Sequence, residues 1–356
     1  MSLPDLEPFM PQPATILIAS DFVLDPALDA AADILSARGH RVIRGPAAVP
    51  GRKTVFEPRD MHRYFADTDV IVASSRVVVD QHVLDAAPRL RGIVYASIGL
   101  DSLDLPAATR RGILVANGAT PENFQSMAEA TVMLMLNLAY DLRGTEELLR
   151  TCAPRPPVLR ARMLKGKTIG LIGLGRIARG VIQRLQGWSV DIVACSPGTR
   201  ASRIPGGVRL VDLDELLAIS DIVSVHATLT EQSRNLIGPA ELRKMKRNAY
   251  LINTARGGCV DEQAVYEALR SRIIAGAALD TFAVEPLPVD SPLRELDNAI
   301  LTPHMVGHTQ ELFASFAPAC VANVEGILDG VVPAFVCNPS VEPAWRGRLR
   351  ELDALA

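Results

Sequence analysis

Short apolar runs alternate along this chain with longer stretches in which apolar residues recur three or four apart. The runs predict buried strands and the stretches predict helices; their alternation predicts parallel sheets. The pattern starts at "ATILIAS", passes through the helical "DPALDAAADILSARG" and continues with strands "RVIR", "DVIVAS", "RGIVYAS" and "ILVAN". It makes one α/β unit over roughly residues 14 to 118. Residues 120 to 150 then read as a helix that starts at Thr120-Pro121 and is apolar almost all round, so it must be buried. The proline-rich and basic "TCAPRPPVLRARMLKG" reads as a linker or extended arm. A second unit opens at "KTIGLIG" and runs through strands "VDIVACS", "DIVSVHA", "AYLINTA", "IIAGAALD" and "AILTP". A helical "QELFASFAPACVANVEGILDG" follows, and the charged ending "PAWRGRLRELDALA" reads as a loosely held tail.

Composition narrows the class. A chain of 356 residues suggests about two domains, and 48% hydrophobic with 22% charged residues is ordinary for a globular protein. A net charge of −3 gives no nucleic-acid footprint. The five cysteines are scattered and odd in number, which points to a reducing, cytoplasmic setting. The opening "MSLPDLEPFMPQP" lacks the basic start of a signal peptide. The longest apolar run, "ATVMLMLNLAY", is about half of the roughly 20 residues needed to span a bilayer, so no membrane partner is expected.

"KTIGLIGLGRIARGVIQRLQGW" holds Gly173-x-Gly175-x-x-Ala178 after a strand and before a helix, the context a dinucleotide fingerprint requires. Gly173 permits the tight turn, Gly175 lets the backbone approach a pyrophosphate, and Ala178 allows close helix–strand packing. Arg176 and Ile177, which open that helix, are assigned to the cofactor with them. At the end of the next strand, where a carboxylate would grip a ribose hydroxyl, the chain has Ser196. Without that carboxylate, Ser196, Thr199, Arg200 and Arg203 could receive a 2′-phosphate. NADP(H) is expected over NAD(H), with solvated loop arginines and NAD as the other possibility.

Three further strand ends carry chemistry: "INTARGG" with Arg256, "ALDTFAVEP" with Asp280 and Glu285, and "LTPHMVGHT" with His304 and His308. Ligands bind outside the carboxyl ends of strands in an open α/β sheet, so Arg256, Glu285 and His304 can converge on a nicotinamide. No metal is expected, because His-x-x-x-His lacks a third ligand of recognisable kind.

At these residues the chain resembles the D-isomer-specific 2-hydroxyacid dehydrogenases, through "GLGRIA", "HATLTEQSRNLI", "NTARGG", "LDTFAVEP", "LTPHMVGHT" and "CNP" in order. The resemblance implies two Rossmann-like α/β domains with parallel sheets. A flavodoxin-like, discontinuous substrate domain (1–118, completed by 305–356) would hold an inserted NAD(P)-binding domain (119–304). It implies that Arg256 binds the substrate carboxylate, that His304 is the acid and base on the substrate oxygen, and that Glu285 orients its imidazole. Asp280 would lie toward the cofactor's carboxamide. Ser75, Ile98 and Gly99 would contact substrate, while His226, Ala227, Thr228, Thr254, Ala255 and Gly307 would line the cofactor together with His304. Ser196 departs from the aspartate of NAD-using members. His308 reads as a structural neighbour that starts the next helix, with cofactor or substrate contact as the alternative.

The expected activity is NAD(P)-dependent reduction of a small 2-keto acid to the D-2-hydroxy acid, and its reverse, by a homodimer. The alternative from another class is a dinucleotide-sensing, corepressor-like protein of the same fold; the complete Arg256, Glu285 and His304 set argues against it.

Overall fold

The computed structural model describes residues 13–354. Residues 1–12, most of the stretch read above as lacking a signal peptide, and 355–356 lie outside the described residues. The chain divides into two compact units, one running up to Glu122 and again from Thr309 onward, the other from Asn123 to His308. The loop with both His304 and His308 therefore belongs to the second unit.

The first unit holds strands β1 (Thr15–Ile18), β2 (Arg41–Arg44), β3 (Val70–Ala73), β4 (Gly92–Tyr95) and β5 (Leu114–Asn117). They form a parallel sheet in the order β2-β1-β3-β4-β5, the flavodoxin-like arrangement. Successive residues of a strand point to opposite faces, and here both faces are covered. Ile16, Ile18, Val70 and Val72 meet the helices Asp25–Ala37 and Gln310–Leu328 on one side. Leu17, Ile71, Ile93 and Val115 meet Phe65, Leu84 and Ala107 on the other. That double burial is why β1, β3, β4 and most of β5 read as continuous apolar runs, whereas β2 at the edge does not. The Gln310–Leu328 helix is long and apolar enough by composition to cross a membrane. Here Phe316, Cys320, Val324 and Ile327 are instead spent on the core of this unit.

The second unit adds β6 (Thr168–Ile172), β7 (Asp191–Cys195), β8 (Val208–Leu210), β9 (Ile222–Val225), β10 (Tyr250–Asn253), β11 (Gly276–Leu279) and β12 (Ala299–Leu301). These strands are parallel in the order β12-β11-β10-β9-β6-β7-β8. The chain builds outward from β6 to β8, then returns to β9 on the other side of β6. The switch point, where a crevice opens in such sheets, thus lies between β6 and β9.

Three local expectations need correction. The stretch 120–150 is two helices, Pro121–Ala139 and Leu142–Arg150, because Asp141 takes a left-handed backbone (φ 52°) that ends the first. The first helix is also not covered all round: Met133 is exposed. Strand β8 escaped the reading, since an edge strand of three residues, two of them exposed, has no apolar signature. The ending is no loose tail but a helix, Glu342–Ala354. It buries Trp345 completely, and the Trp345 indole donates to the Arg91 carbonyl at 2.9 Å.

Candidate active site

The carboxyl ends of the second unit's strands carry two kinds of group. Beyond β6 and β7 lie glycines and cations. Gly173 has φ 99°, and a side chain there would come within 2.8 Å of the His226 carbonyl oxygen, so only glycine fits between β6 and β9. A side chain at Gly175 would meet open space, which leaves the N-terminus of the Arg176–Arg184 helix approachable by a phosphate. Beside it a pocket of about 460 Å³ is lined by Arg176, Arg179, Thr199, Arg200 and Arg203, and no carboxylate lines it among the described residues. The Arg176 guanidinium lies 4.7 Å from the Phe124 ring centre. Arg179 donates to the carbonyls of Leu174 (3.1 Å) and Arg203 (2.5 Å). The Thr199 hydroxyl donates to Ser196 Oγ at 2.8 Å, folding the β7 end into a turn that projects Arg200. A glycine turn, an open helix N-terminus and cations without acids fit a dinucleotide with its negative charge.

At β9 the His226 backbone N–H donates to the Ile172 carbonyl (2.8 Å), and its ring meets Ser224 Oγ at 3.0 Å. Burial pushes this imidazole down to about 4, so it is neutral at ordinary pH. Ala227 packs on the core below, and the Thr228 carbonyl accepts from Ser233 Oγ at 2.7 Å.

Beyond β10, β11 and β12 the groups are tightly held. Thr254 is buried, and the Asn253 side chain closes the β10 end by accepting from the Ala255 N–H (3.1 Å) and donating to the Arg256 carbonyl (2.9 Å). The Arg256 guanidinium donates to the Ala255 carbonyl at 2.8 Å. A side chain on Gly257 would fall 2.0 Å from the Phe282 carbonyl carbon, so glycine is what brings the Arg256 loop against the Glu285 loop.

His304 and Glu285 form a hydrogen-bonded pair, Nδ1 to Oε2 at 2.8 Å. The other Glu285 oxygen accepts the Phe282 N–H at 3.1 Å. Burial would raise the Glu285 carboxyl, but the His304 contact, the Phe282 N–H and the Arg256 charge outweigh it and hold it below its ordinary value. His304 itself sits at φ 55°, a left-handed backbone uncommon for a residue with a side chain. Asp280 is fully buried, and its Oδ1 accepts from Thr302 Oγ1 (2.7 Å), Met305 N (2.9 Å) and Val306 N (3.1 Å). Burial raises its pKa, and those hydrogen bonds and His304 offset this only partly. Gly307 is packed on Met127, and its carbonyl accepts from Ser126 Oγ. His308 donates its backbone N–H to the Met305 carbonyl (2.8 Å) one residue before Thr309, which caps the Gln310–Leu328 helix. Among the described residues no group of three or more His, Cys, Asp or Glu side chains is placed to hold a metal ion.

In the first unit, the Ser75 N–H donates to Ser97 Oγ (3.1 Å), and the Ile98 carbonyl accepts from the Asn117 amide (3.0 Å). The Gly99 carbonyl accepts weakly from Ser97 Oγ at 3.4 Å. Three participants of the second unit were missed in the sequence. Arg179 had a signal, since it lies three residues after Arg176 on one helix face. Asn253 had a local one, an Asn at a strand end able to bond the backbone two and three residues on; Thr302 had none, because its partner Asp280 lies on the neighbouring strand's end.

Residues 132–306 match the family model for the D-isomer specific 2-hydroxyacid dehydrogenase NAD-binding domain. A glyoxylate reductase of Thermofilum pendens is 39% identical over 289 residues, covering 79% of this chain and 85% of that protein. A D-3-phosphoglycerate dehydrogenase of Archaeoglobus fulgidus is 36% identical over 82% of this chain, which spans only 56% of that longer protein. Among solved structures, a protein of Thermus thermophilus superposes with a TM-score of 0.77 at 31% identity, covering 91% of this chain and 99% of its own. The chain therefore belongs to the D-isomer-specific 2-hydroxyacid dehydrogenase family and is an oxidoreductase that uses a nicotinamide dinucleotide.

Proposed function

We propose that this chain reduces a small 2-keto acid to the D-2-hydroxy acid, with NADPH preferred as cofactor. The observation that carries the reading is the His304–Glu285 pair, at 2.8 Å, with Arg256 held one strand away against the same loop. A bound reduced nicotinamide supplies the hydride. His304 Nδ1–H is committed to Glu285, so Nε2 faces the substrate and gives its proton to the carbonyl oxygen. The Glu285 anion fixes that tautomer and stabilises the imidazolium before the proton leaves. Arg256 holds the substrate carboxylate with its planar fork, a geometry lysine lacks. In the first unit, Ser75 and the backbone at Ile98 and Gly99 are assigned to the substrate.

Gly173, Gly175, Arg176 and Ile177 would hold the pyrophosphate, and Ser196, Thr199, Arg200 and Arg203 the 2′-phosphate. His226, Ala227, Thr228, Thr254, Ala255 and Gly307 would line the rest of the dinucleotide. The acid-free arginine pocket favours NADPH, because a carboxylate there would repel the extra phosphate. Five unbridged cysteines suit a reducing, cytoplasmic setting. Exposed Met133, Tyr140, Leu149, Val158, Leu159 and Met163, all within one stretch of the second unit, favour a homodimer formed through that stretch.

The test is the initial rate of NADPH and of NADH oxidation by the purified protein with glyoxylate, hydroxypyruvate, pyruvate and phenylpyruvate. Turnover with NADPH well above NADH is expected. Turnover with NADH alone would keep the chemistry and remove the cofactor assignment; no turnover with either would remove this substrate class.

A further inference from the structure

The loop 302–307 is bound in an uncommon way. His304 takes a left-handed backbone although it is neither glycine nor in a regular turn of Asn or Asp, a strained conformation that persists only where its surroundings impose it. What imposes it is visible. One oxygen of one buried carboxylate, Asp280 Oδ1, takes donors from Thr302, Met305 and Val306, two residues before His304 and one and two after it. Further along, the Gly307 carbonyl accepts from Ser126 Oγ, and Met127 fills the place of a Gly307 side chain. The His304 N–H itself donates to the Thr302 carbonyl at 3.0 Å, which leaves the chain no slack between the anchor points.

We infer that Asp280 is a positioning residue: its carboxylate oxygen grips the chain on both sides of His304, through the Thr302 hydroxyl before it and the Met305 and Val306 N–H groups after it, and so aims the imidazole at the substrate oxygen. This rests on the reading of His304 as the acid, and it assigns Asp280 work that a contact with the cofactor would not require. Glu285 fixes only the rotation and tautomer of the ring. Asp280 fixes the backbone from which the ring hangs. The requirement is for an acceptor at Oδ1, not for charge as such, so an amide oxygen at the same place should keep most of the clamp.

The experiment compares Asp280→Ala, Asp280→Asn, Thr302→Val and His304→Ala by three readouts: steady-state kinetics, dissociation constants for NADPH and NADH by fluorescence, and hydrogen–deuterium exchange of the 302–308 segment. Asp280→Ala should lower kcat about 100-fold, the effect of a displacement near 1 Å at a reacting group. Its cofactor dissociation constant should stay within about threefold of the parent. Exchange at Met305 and Val306 should quicken at least about tenfold. Asp280→Asn should restore most of both losses. Thr302→Val, which removes one donor and leaves the carboxylate, should lower kcat about three- to tenfold with loop protection reduced in proportion, and it serves if Asp280→Ala does not fold. Unchanged exchange in Asp280→Ala would overturn the clamp whatever the kinetics. An Asn variant as damaged as the Ala variant would overturn it in favour of a purely electrostatic role. Weakened cofactor binding with kcat retained at saturation would overturn it in favour of direct cofactor contact. His304→Ala separates the two readings: if it keeps full turnover, the assignment of the acid fails, while the exchange result still decides the clamp.

Discussion

The second unit's sheet has two halves that divide at the β6/β9 switch, and they are built to different standards. The β6–β7 half offers a turn, a helix N-terminus and four arginines, of which Arg179 is held only by backbone carbonyls. The β10–β12 half offers buried or hydrogen-bonded groups, each fixed by two or three partners: Asn253 on the Arg256 loop, Phe282 and His304 on Glu285, three donors on Asp280. A phosphate is recognised by charge from many directions, and long mobile side chains suffice. A proton must be delivered along one line, and a small displacement there costs orders of magnitude. The difference predicts that substitutions in the β10–β12 half act on kcat, and those in the β6–β7 half on cofactor affinity.

The largest expected effect is at His304. His304→Ala should lower kcat for keto-acid reduction by about 10³-fold, within the usual range for loss of a general acid, while leaving the NADPH dissociation constant near its parent value. Arg256→Lys should cost nearly as much in kcat/KM, because a point charge cannot hold a carboxylate in two places. Steady-state kinetics with circular dichroism as a folding check would show it. A variant at either position that loses cofactor affinity and keeps kcat would erase the division between the halves.

Glu285→Gln comes next, at about 10- to 100-fold in kcat, because an amide can still meet the ring but no longer stabilises its charged form. The pH profile sharpens this. Glu285 is held below its ordinary 4.5, so in the parent the anion, and the stability it contributes, persist above that value and are lost only as pH falls through the lower folded one. Reduction by the parent should therefore show no acid limb from this carboxylate down to about pH 4.5. An acid limb centred well above that, absent from Glu285→Gln, would show that the carboxylate is not held as the structure has it.

How much of this was legible in the chain follows the same division. The fingerprint at Gly173 and Gly175, the two parallel sheets and the strand-end residues Arg256, Glu285 and His304 could be read, because backbone turns and strand ends leave local marks. The buried strands of the first unit were legible because burial on both faces gives continuous apolar runs. What could not be read was set by packing between distant segments. Asp280 gave no sign that it would accept from Thr302, Met305 and Val306, some 22 to 26 residues later. The ending looked charged and loose, since its helix owes its place to Trp345 and to Arg348 reaching the Leu90 carbonyl, 258 residues back in sequence. The break at Asp141 turns on one backbone angle that the apolar pattern across 120–150 conceals.

In the β6–β7 half the expected effects are smaller and confined to one cofactor. Arg200→Ser and Arg203→Ser should each raise the KM for NADPH about tenfold or somewhat more, the worth of a charge-assisted hydrogen bond in a solvated site, and leave NADH kinetics within about twofold. The two together should bring the cofactors level. Parallel titrations with both dinucleotides would check it, and added salt should erode the NADPH advantage alone. Equal losses for NADPH and NADH would place these arginines on the shared pyrophosphate instead.

The smallest effect lies at the switch itself, on stability rather than turnover. His226 stands at the β9 end, its imidazole pushed by burial from 6.5 down to about 4. A histidine depressed in the folded state binds its proton more readily when unfolded, so folding loses stability as pH falls from about 6.5 toward 4 and loses nothing further from this group below that. Each unit of that shift corresponds to about 1.4 kcal/mol at full burial, and the partial exposure of the residue reduces it, so a loss of roughly 1–2 kcal/mol is expected by pH 5. For a unit of this size that is about 2–8 °C in melting temperature. His226→Gln keeps a side chain able to meet Ser224 and carries no proton to titrate. Melting curves of the two proteins at pH 7.5 and pH 5 should therefore diverge at the lower pH, with the parent falling further. Parallel curves would mean that the ring accepts its proton in place, and that the crevice between β6 and β9 is wetter than the burial of the imidazole implies.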